Sequence, residues 1–168
     1  MAEKYSLWIL PTDKLKSSLE DVIKKLAKKY NSSLFEPHLT LIGGFNSSLN
    51  EIKQGTKKLA YLIKPFIIKT GEISFSTTYY QNVFLRVKSS ACLMDVNLKA
   101  KKIFKLENDI FMPHISLLYG NQSLKIREQA VSRIKIPEAK FIADKIIVVP
   151  SIPDPKEWKH LVEYNLSS

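Results

Sequence analysis

Two five-residue stretches, Pro37-His38-Leu39-Thr40-Leu41 and Pro113-His114-Ile115-Ser116-Leu117, are near copies at matching places in a longer repeat. The first half runs strand, helix, histidine strand, helix, strand, and the second half repeats that order. Trp8 precedes His38 by 30 residues and Leu85 precedes His114 by 29. From each histidine to the first leucine of the next helix is 11 and 10 residues, to Leu49 and Leu124. A duplicated unit of this kind relates its halves by a pseudo-twofold axis. Sheets with helices on their outer faces then bring the two histidine strands together at the centre.

The element reading behind the repeat rests on periodicity and punctuation. Lys4–Leu10 is aromatic and apolar, stops at Pro11, and reads as a strand. Thr12 or Asp13 caps a helix over 14–29, with Leu15, Leu19, Val22, Ile23 and Leu26 on one face. Leu34–Ile42 is expected as the first histidine strand, closing at Gly43-Gly44. Ser47 or Ser48 opens a helix over 49–63, stopped by Pro65. Strands follow at 66–75 and 79–87, then a helix over 92–104 after Ser89 or Ser90. The second histidine strand is expected over 111–119, a helix over 124–134, one strand over 140–149 and a last one over 158–164. The proline-rich Pro150–Pro155 stretch is a turn. All of this is one domain, 1–168, whose repeat units cover about 4–75 and 80–149.

On a strand, residues i and i+2 share a face. Each copy therefore sets an imidazole beside a hydroxyl, His38 with Thr40 and His114 with Ser116, while Leu39 and Ile115 turn away. A lone histidine on an apolar strand is most often a core residue. Here two of the chain's three histidines recur at one repeat position, each two residues before a hydroxyl. Imidazole titrates near 6.5, so one ring can be neutral and its partner protonated at neutral pH. The neutral ring takes a proton from water attacking a cyclic phosphodiester, and the cationic one protonates the departing ribose oxygen. Thr40 and Ser116 donate hydrogen bonds to the nonbridging oxygens as charge builds there.

Composition narrows the partners. The formal charge is +10 with a pI near 9.6, which favours phosphate-bearing ligands. Only three of the basic residues are Arg (Arg86, Arg127 and Arg133), which argues against a dedicated RNA-reading surface. A single cysteine, Cys92, excludes an internal disulfide and fits a reducing compartment. Cys/His metal clusters have too few ligands, so neither metal nor cofactor is expected. No apolar run reaches the roughly 20 residues of a membrane span. The expectation is a monomeric cytoplasmic, or nuclear, protein.

The paired H-x-[T/S]-L motifs resemble those of the two-histidine (2H) phosphoesterase superfamily, and most closely the cyclic phosphodiesterases of the plant and yeast type. That resemblance runs through Tyr5-Ser6-Leu7-Trp8, both histidine motifs, Tyr80-Gln81-Asn82-Val83-Phe84-Leu85, and the closing Trp158 with Asn165-Leu166. It implies an α+β, bilobal fold of two pseudo-twofold-related sheet lobes around a central cleft. It implies metal-free hydrolysis of ADP-ribose 1″,2″-cyclic phosphate and nucleoside 2′,3′-cyclic phosphates to 1″- and 2′-phosphates. His38, His114, Thr40 and Ser116 are then the catalytic set, with His114 the base and His38 the acid by analogy. Tyr119 matches the family tyrosine that lines the cleft, and Gln81, Tyr80 and Tyr79 are further substrate contacts. Trp8 is expected in the core, and His160, without a repeat counterpart, at the surface or as strand filler. The chain departs from the family in Gly43-Gly44 and in its single cysteine. The alternatives are an RNA 2′,3′-cyclic-end or 2′-5′ phosphodiesterase, which the charge favours, and a silent RNA-end-binding module.

Overall fold

Serines start three of the four helices. Ser48, Ser90 and Ser123 each accept a hydrogen bond from the backbone amide three residues on, and Glu51 completes a capping box with Ser48. The computed structural model describes residues 3–167. In chain order it contains β1 (Glu3–Ile9), α1 (Asp13–Tyr30), β2 (Leu39–Ser47), α2 (Leu49–Tyr61), β3 (Phe66–Phe75) and β4 (Val83–Val87). Then come α3 (Ala91–Ile103), β5 (His114–Leu118), α4 (Leu124–Arg133), β6 (Lys140–Ala143), β7 (Lys145–Pro150) and β8 (Val162–Asn165).

The eight strands make one antiparallel sheet in the order β6-β3-β4-β5-β2-β1-β7-β8. Its two four-stranded halves are the two expected lobes. They meet through a single register pair, Leu39 with Ile115. Both side chains are fully buried on the face away from the histidines, each contributing on the order of 1.5–3 kcal/mol of apolar burial. The sheet curls, because β6 and β7 lie near its opposite edges yet only Asp144 separates them, and one residue spans less than about 4 Å.

The lobes in space are not the halves of the sequence. Helix α1 packs on β5 and α3 on β2, each crossing to the other lobe. Likewise β3 pairs with β4 while β7 pairs with β1. Sheet neighbours thus equate β1, β2 and β7 with β4, β5 and β3, and α1 and α2 with α3 and α4.

Several boundaries differ from expectation: β4 begins at Val83, not Tyr79, because residues 79–82 form the turn before it, and β5 begins at His114, not Phe111, directly after Pro113. The first histidine strand begins at Leu39, not Leu34, and runs through Gly43-Gly44 to Ser47. Between Tyr5–Phe45 and Leu7–Ile42 the register slips by one residue, and Gly44 stands at φ 69°. The glycines form a β-bulge rather than a strand end. The apolar run 140–149 breaks at Asp144 into two strands with different partners. The last strand starts at Val162, because Trp158 turns inward instead. Within α3, Leu98 is exposed and Asn97 is buried, its amide donating to the Leu41 carbonyl.

Candidate active site

The curled sheet leaves a cleft of about 480 Å³ where its halves meet, lined at its centre by His38, Thr40, His114 and Ser116. Continuing the Leu39–Ile115 register sets His38 across from Ser116 and Thr40 across from His114. Each imidazole thus has two hydroxyl neighbours, its own motif's and the other's. A common device holds both rings. The Nδ1–H of His38 donates to the Glu36 carbonyl at 2.7 Å, and that of His114 to the Met112 carbonyl at 2.9 Å. In both cases the acceptor is two residues back, across the proline. This sets the tautomer and leaves Nε2 free in each ring.

The rings differ in surroundings. Trp8 and Phe84 sit at equivalent positions, cross-strand from Thr40 and Ser116 respectively. Trp8 stacks flat on His38, whereas Phe84 meets His114 edge-on at 5.4 Å. Phe35 and Trp158 add edges to His38 at 6.4 and 5.8 Å. Burial lowers the His38 pKa to about 4, against the raising influence of the Glu36 carbonyl and carboxylate. Burial also lowers His114, helped by the Arg86 guanidinium on the adjoining strand and opposed by the Met112 bond. Both rings are therefore neutral at pH 7 in the protein alone, where the sequence suggested one cation. The difference is desolvation, which only packing reveals.

The hydroxyls are not equivalent either. Ser116 Oγ donates to the Tyr80 carbonyl at 2.7 Å, while Thr40 makes no side-chain hydrogen bond among the described residues. Tyr119 is buried in the cleft wall, stacked on Phe35 at 3.9 Å. Its hydroxyl is pushed up, by burial above all and against a hydrogen bond with Ser116. Tyr80 and Gln81 line the cleft. Tyr79 does not. It lies against Tyr119, 6.4 Å between ring centres, and lines an adjoining polar recess with Asn31 and Lys156.

Several cleft residues escaped the sequence reading. Trp8, expected in the core, is buried but contributes to the cleft lining. Trp158 closes the aromatic side, its Nε1–H held by the Ile152 carbonyl at 2.6 Å. The lining also takes in Lys4, Ser6, Ser151 and the glycine bulge, where the Gly44 amide donates to Ser6 Oγ. A Cβ on Gly43 would come within 2.9 Å of both Ser6 Oγ and the Thr40 methyl, so that floor is bare backbone. Arg127, buried, donates to the carbonyls of Ser76, Thr78, Gly120 and Gln122. It thereby pins the turn carrying Tyr79 and Tyr80. Past His114 the cleft opens into a second groove of about 370 Å³ that shares Thr40, Gly43 and Gln81 and includes Phe45 and Phe111.

Among the described residues no group of three or more His, Cys, Asp or Glu side chains converges as a metal-ligand set, and no helix is long and apolar enough to cross a membrane.

Comparison with known proteins gives concordant results. The family described as cyclic phosphodiesterase-like protein matches residues 1–163. A cyclic phosphodiesterase of Arabidopsis thaliana is 24% identical over 127 residues, 75% of this chain and 70% of that one. Among solved structures, E. coli LigT in its apo form has a TM-score of 0.71 at 15% identity, covering 99% of both chains. LigT complexed with 3′-AMP gives 0.68 at 16% identity over the whole of both. A Thermus thermophilus protein, TT0787, gives 0.65 at 16% over 97% of both. These structures share the fold.

Proposed function

Since the chain belongs to the cyclic phosphodiesterase-like family and is a cyclic phosphodiesterase, we propose that it opens nucleoside 2′,3′-cyclic phosphates and ADP-ribose 1″,2″-cyclic phosphate by paired imidazole catalysis. The observation that carries this reading is the matched pair of pinned imidazoles, each with Nδ1–H on a backbone carbonyl and Nε2 free, in one cleft with two hydroxyls. The phosphodiester lies between the rings. Its negative charge offsets the burial that holds them neutral, so one ring takes up a proton as substrate binds.

The charged neighbours divide the roles. Arg86 disfavours a cation at His114, which acts as the base removing a proton from water. Burial, and His114 beside it, disfavour a cation at His38 until the phosphodiester is bound, but the Glu36 carbonyl and carboxylate favour one, and the stacked Trp8 face attracts an imidazolium. His38 therefore protonates the departing ribose oxygen. Thr40 donates to a nonbridging oxygen directly, and Ser116 does so by leaving the Tyr80 carbonyl. Tyr119, Tyr80, Gln81 and Trp158 hold the nucleoside on the aromatic side, the Trp158 face in place of the expected Tyr79.

A second reading, action on RNA ending in a 2′,3′-cyclic phosphate, is favoured by the groove beyond His114 and by the +10 charge. An exposed Cys92 thiol supports a reducing compartment, cytosol or nucleus, for either substrate.

The deciding experiment is an assay in EDTA with 2′,3′-cyclic AMP, ADP-ribose 1″,2″-cyclic phosphate and a short RNA ending in a cyclic phosphate. Opening of the two small substrates to 2′- and 1″-phosphates is expected. A strong preference for the RNA moves the assignment to RNA ends, and 3′-phosphate products would refute the chemistry. Activity lost in EDTA and restored by a divalent cation would refute the metal-free step.

A further inference from the structure

His160, the one histidine outside the repeat, connects to His38 through Glu36. Its Nε2 lies 2.7 Å from Glu36 Oε2 and its Nδ1 2.9 Å from Glu163 Oε1. Carboxylate oxygens accept only, so the arrangement is complete when both ring nitrogens carry hydrogen. Lys16 Nζ, from α1, donates to the other oxygen of Glu36 at 2.9 Å. Burial works to raise the Glu36 carboxyl, but the bonds from Lys16 and His160 outweigh it and hold it below the ordinary value. The backbone carbonyl of the same residue receives the His38 Nδ1–H.

We infer that Lys16, Glu36, His160 and Glu163 form a positioning cluster for the His38 imidazole, rather than an incidental surface ion pair. Three separate parts of the chain converge on it: α1, the segment entering β2, and the segment entering β8. An isolated exposed pair would be worth little, but this carboxylate sits on the residue that orients a ring in the cleft. The cluster also anchors a second contact of that ring. His160 lies two residues after Trp158, whose edge meets His38. Among the described residues nothing equivalent serves His114. Its carbonyl partner is Met112, whose sulfur receives only a long contact from Arg86 at 3.7 Å. The cluster thus marks His38 as the ring whose alignment the fold takes most trouble to hold.

This inference rests on the reading of His38 as a catalytic group, and its test separates the two. Glu36→Gln and His160→Gln are made singly and together, with Lys88→Gln, which breaks the exposed Lys88–Glu138 pair, as control. The readouts are kcat and KM on 2′,3′-cyclic AMP, the melting midpoint, and the long-range 1H–15N spectrum of the His38 ring. Each single variant is expected to lose roughly 10- to 100-fold in kcat, with KM within about twofold, as for a misaligned reacting group. The His38 ring should lose its single Nδ1–H tautomer, and the double variant should be no worse than the poorer single, the signature of coupled residues. Lys88→Gln should match the wild type. Wild-type kcat with an unchanged His38 spectrum in both singles would overturn the inference. So would a loss of kcat that merely follows a lowered melting midpoint with the tautomer intact. If the wild type opens no cyclic phosphate, the functional reading falls, and the ring spectrum alone then supports or overturns the positioning role.

Discussion

The indole of Trp8 lies flat on the imidazole of His38, with ring centres 3.6 Å apart and planes 9° from parallel. That contact, with Phe35 and Trp158 at the edges, leaves His38 only 7% exposed. A reactive ring so enclosed is a liability in acid, and the first prediction follows from it. Unfolded, His38 takes a proton near 6.5; folded, it does so only at about 4. Between those values the unfolded chain binds more protons, so stability falls as pH falls through that window. The loss amounts to about 3 kcal/mol. Denaturant melts of wild type and His38→Gln from pH 7 to 4 should show that slope in the former and lack it in the latter. Parallel slopes would contradict the burial of the ring as its cause.

His38→Ala and His114→Ala should each lower turnover of 2′,3′-cyclic AMP by roughly 10²–10⁴-fold, the scale of a lost positioned acid or base. Far-UV circular dichroism should stay that of the wild type, since each ring's backbone bond is to a residue only two positions away. Near-wild-type rates in both variants would end the two-imidazole mechanism.

The hydroxyls should separate. Thr40→Ala removes a hydroxyl that has no hydrogen-bond partner among the described residues. It should cost on the order of 10-fold in kcat with KM nearly unchanged, with Thr40→Ser restoring most of it. Ser116→Ala also frees the Tyr80 carbonyl, so KM should rise as well. Equal kcat and KM effects in the two variants would show that the Ser116–Tyr80 bond plays no part in holding substrate.

Activity should depend on pH through the ring pair as a unit. Both pKa values lie below 6.5, so kcat/KM, which reports the free enzyme, should decline by about tenfold per unit at alkaline pH. Arg86 lowers His114, so Arg86→Gln should move the descending limb to higher pH. A limb that stays put or moves down would remove Arg86 from the account of the base.

Much of this site was legible along the chain because strand geometry is local. Alternation alone sets His38 beside Thr40 and His114 beside Ser116 and turns Leu39 and Ile115 into the core, where both are fully buried. Two helix starts were equally local, since Ser48 and Ser90 act on amides three residues away, whereas Thr12 stands before α1 without a side-chain cap bond. The errors lay where a second segment decides. Gly43-Gly44 reads as a stop, and only the slipped pairing with β1 makes it a bulge. Residues 140–149 read as one strand, and only the curl of the sheet divides them at Asp144. His160 reads as surface or strand filler; it is exposed and bonds Glu163 three residues on, and only the approach of Glu36 from 124 residues away ties it to the segment that holds His38.

By itself, then, the sequence determined the duplicated pattern, the family it belongs to and the pairing of imidazole with hydroxyl within each motif, because these depend on spacing of a few residues. The tertiary structure decided which hydroxyl faces which ring across β2 and β5, that burial lowers the pKa of both rings, and that, among the described residues, only His38 is enclosed by aromatics and backed by an ion-pair cluster. Those properties come from desolvation and from charges brought together out of distant segments, and neither quantity exists until the chain has folded.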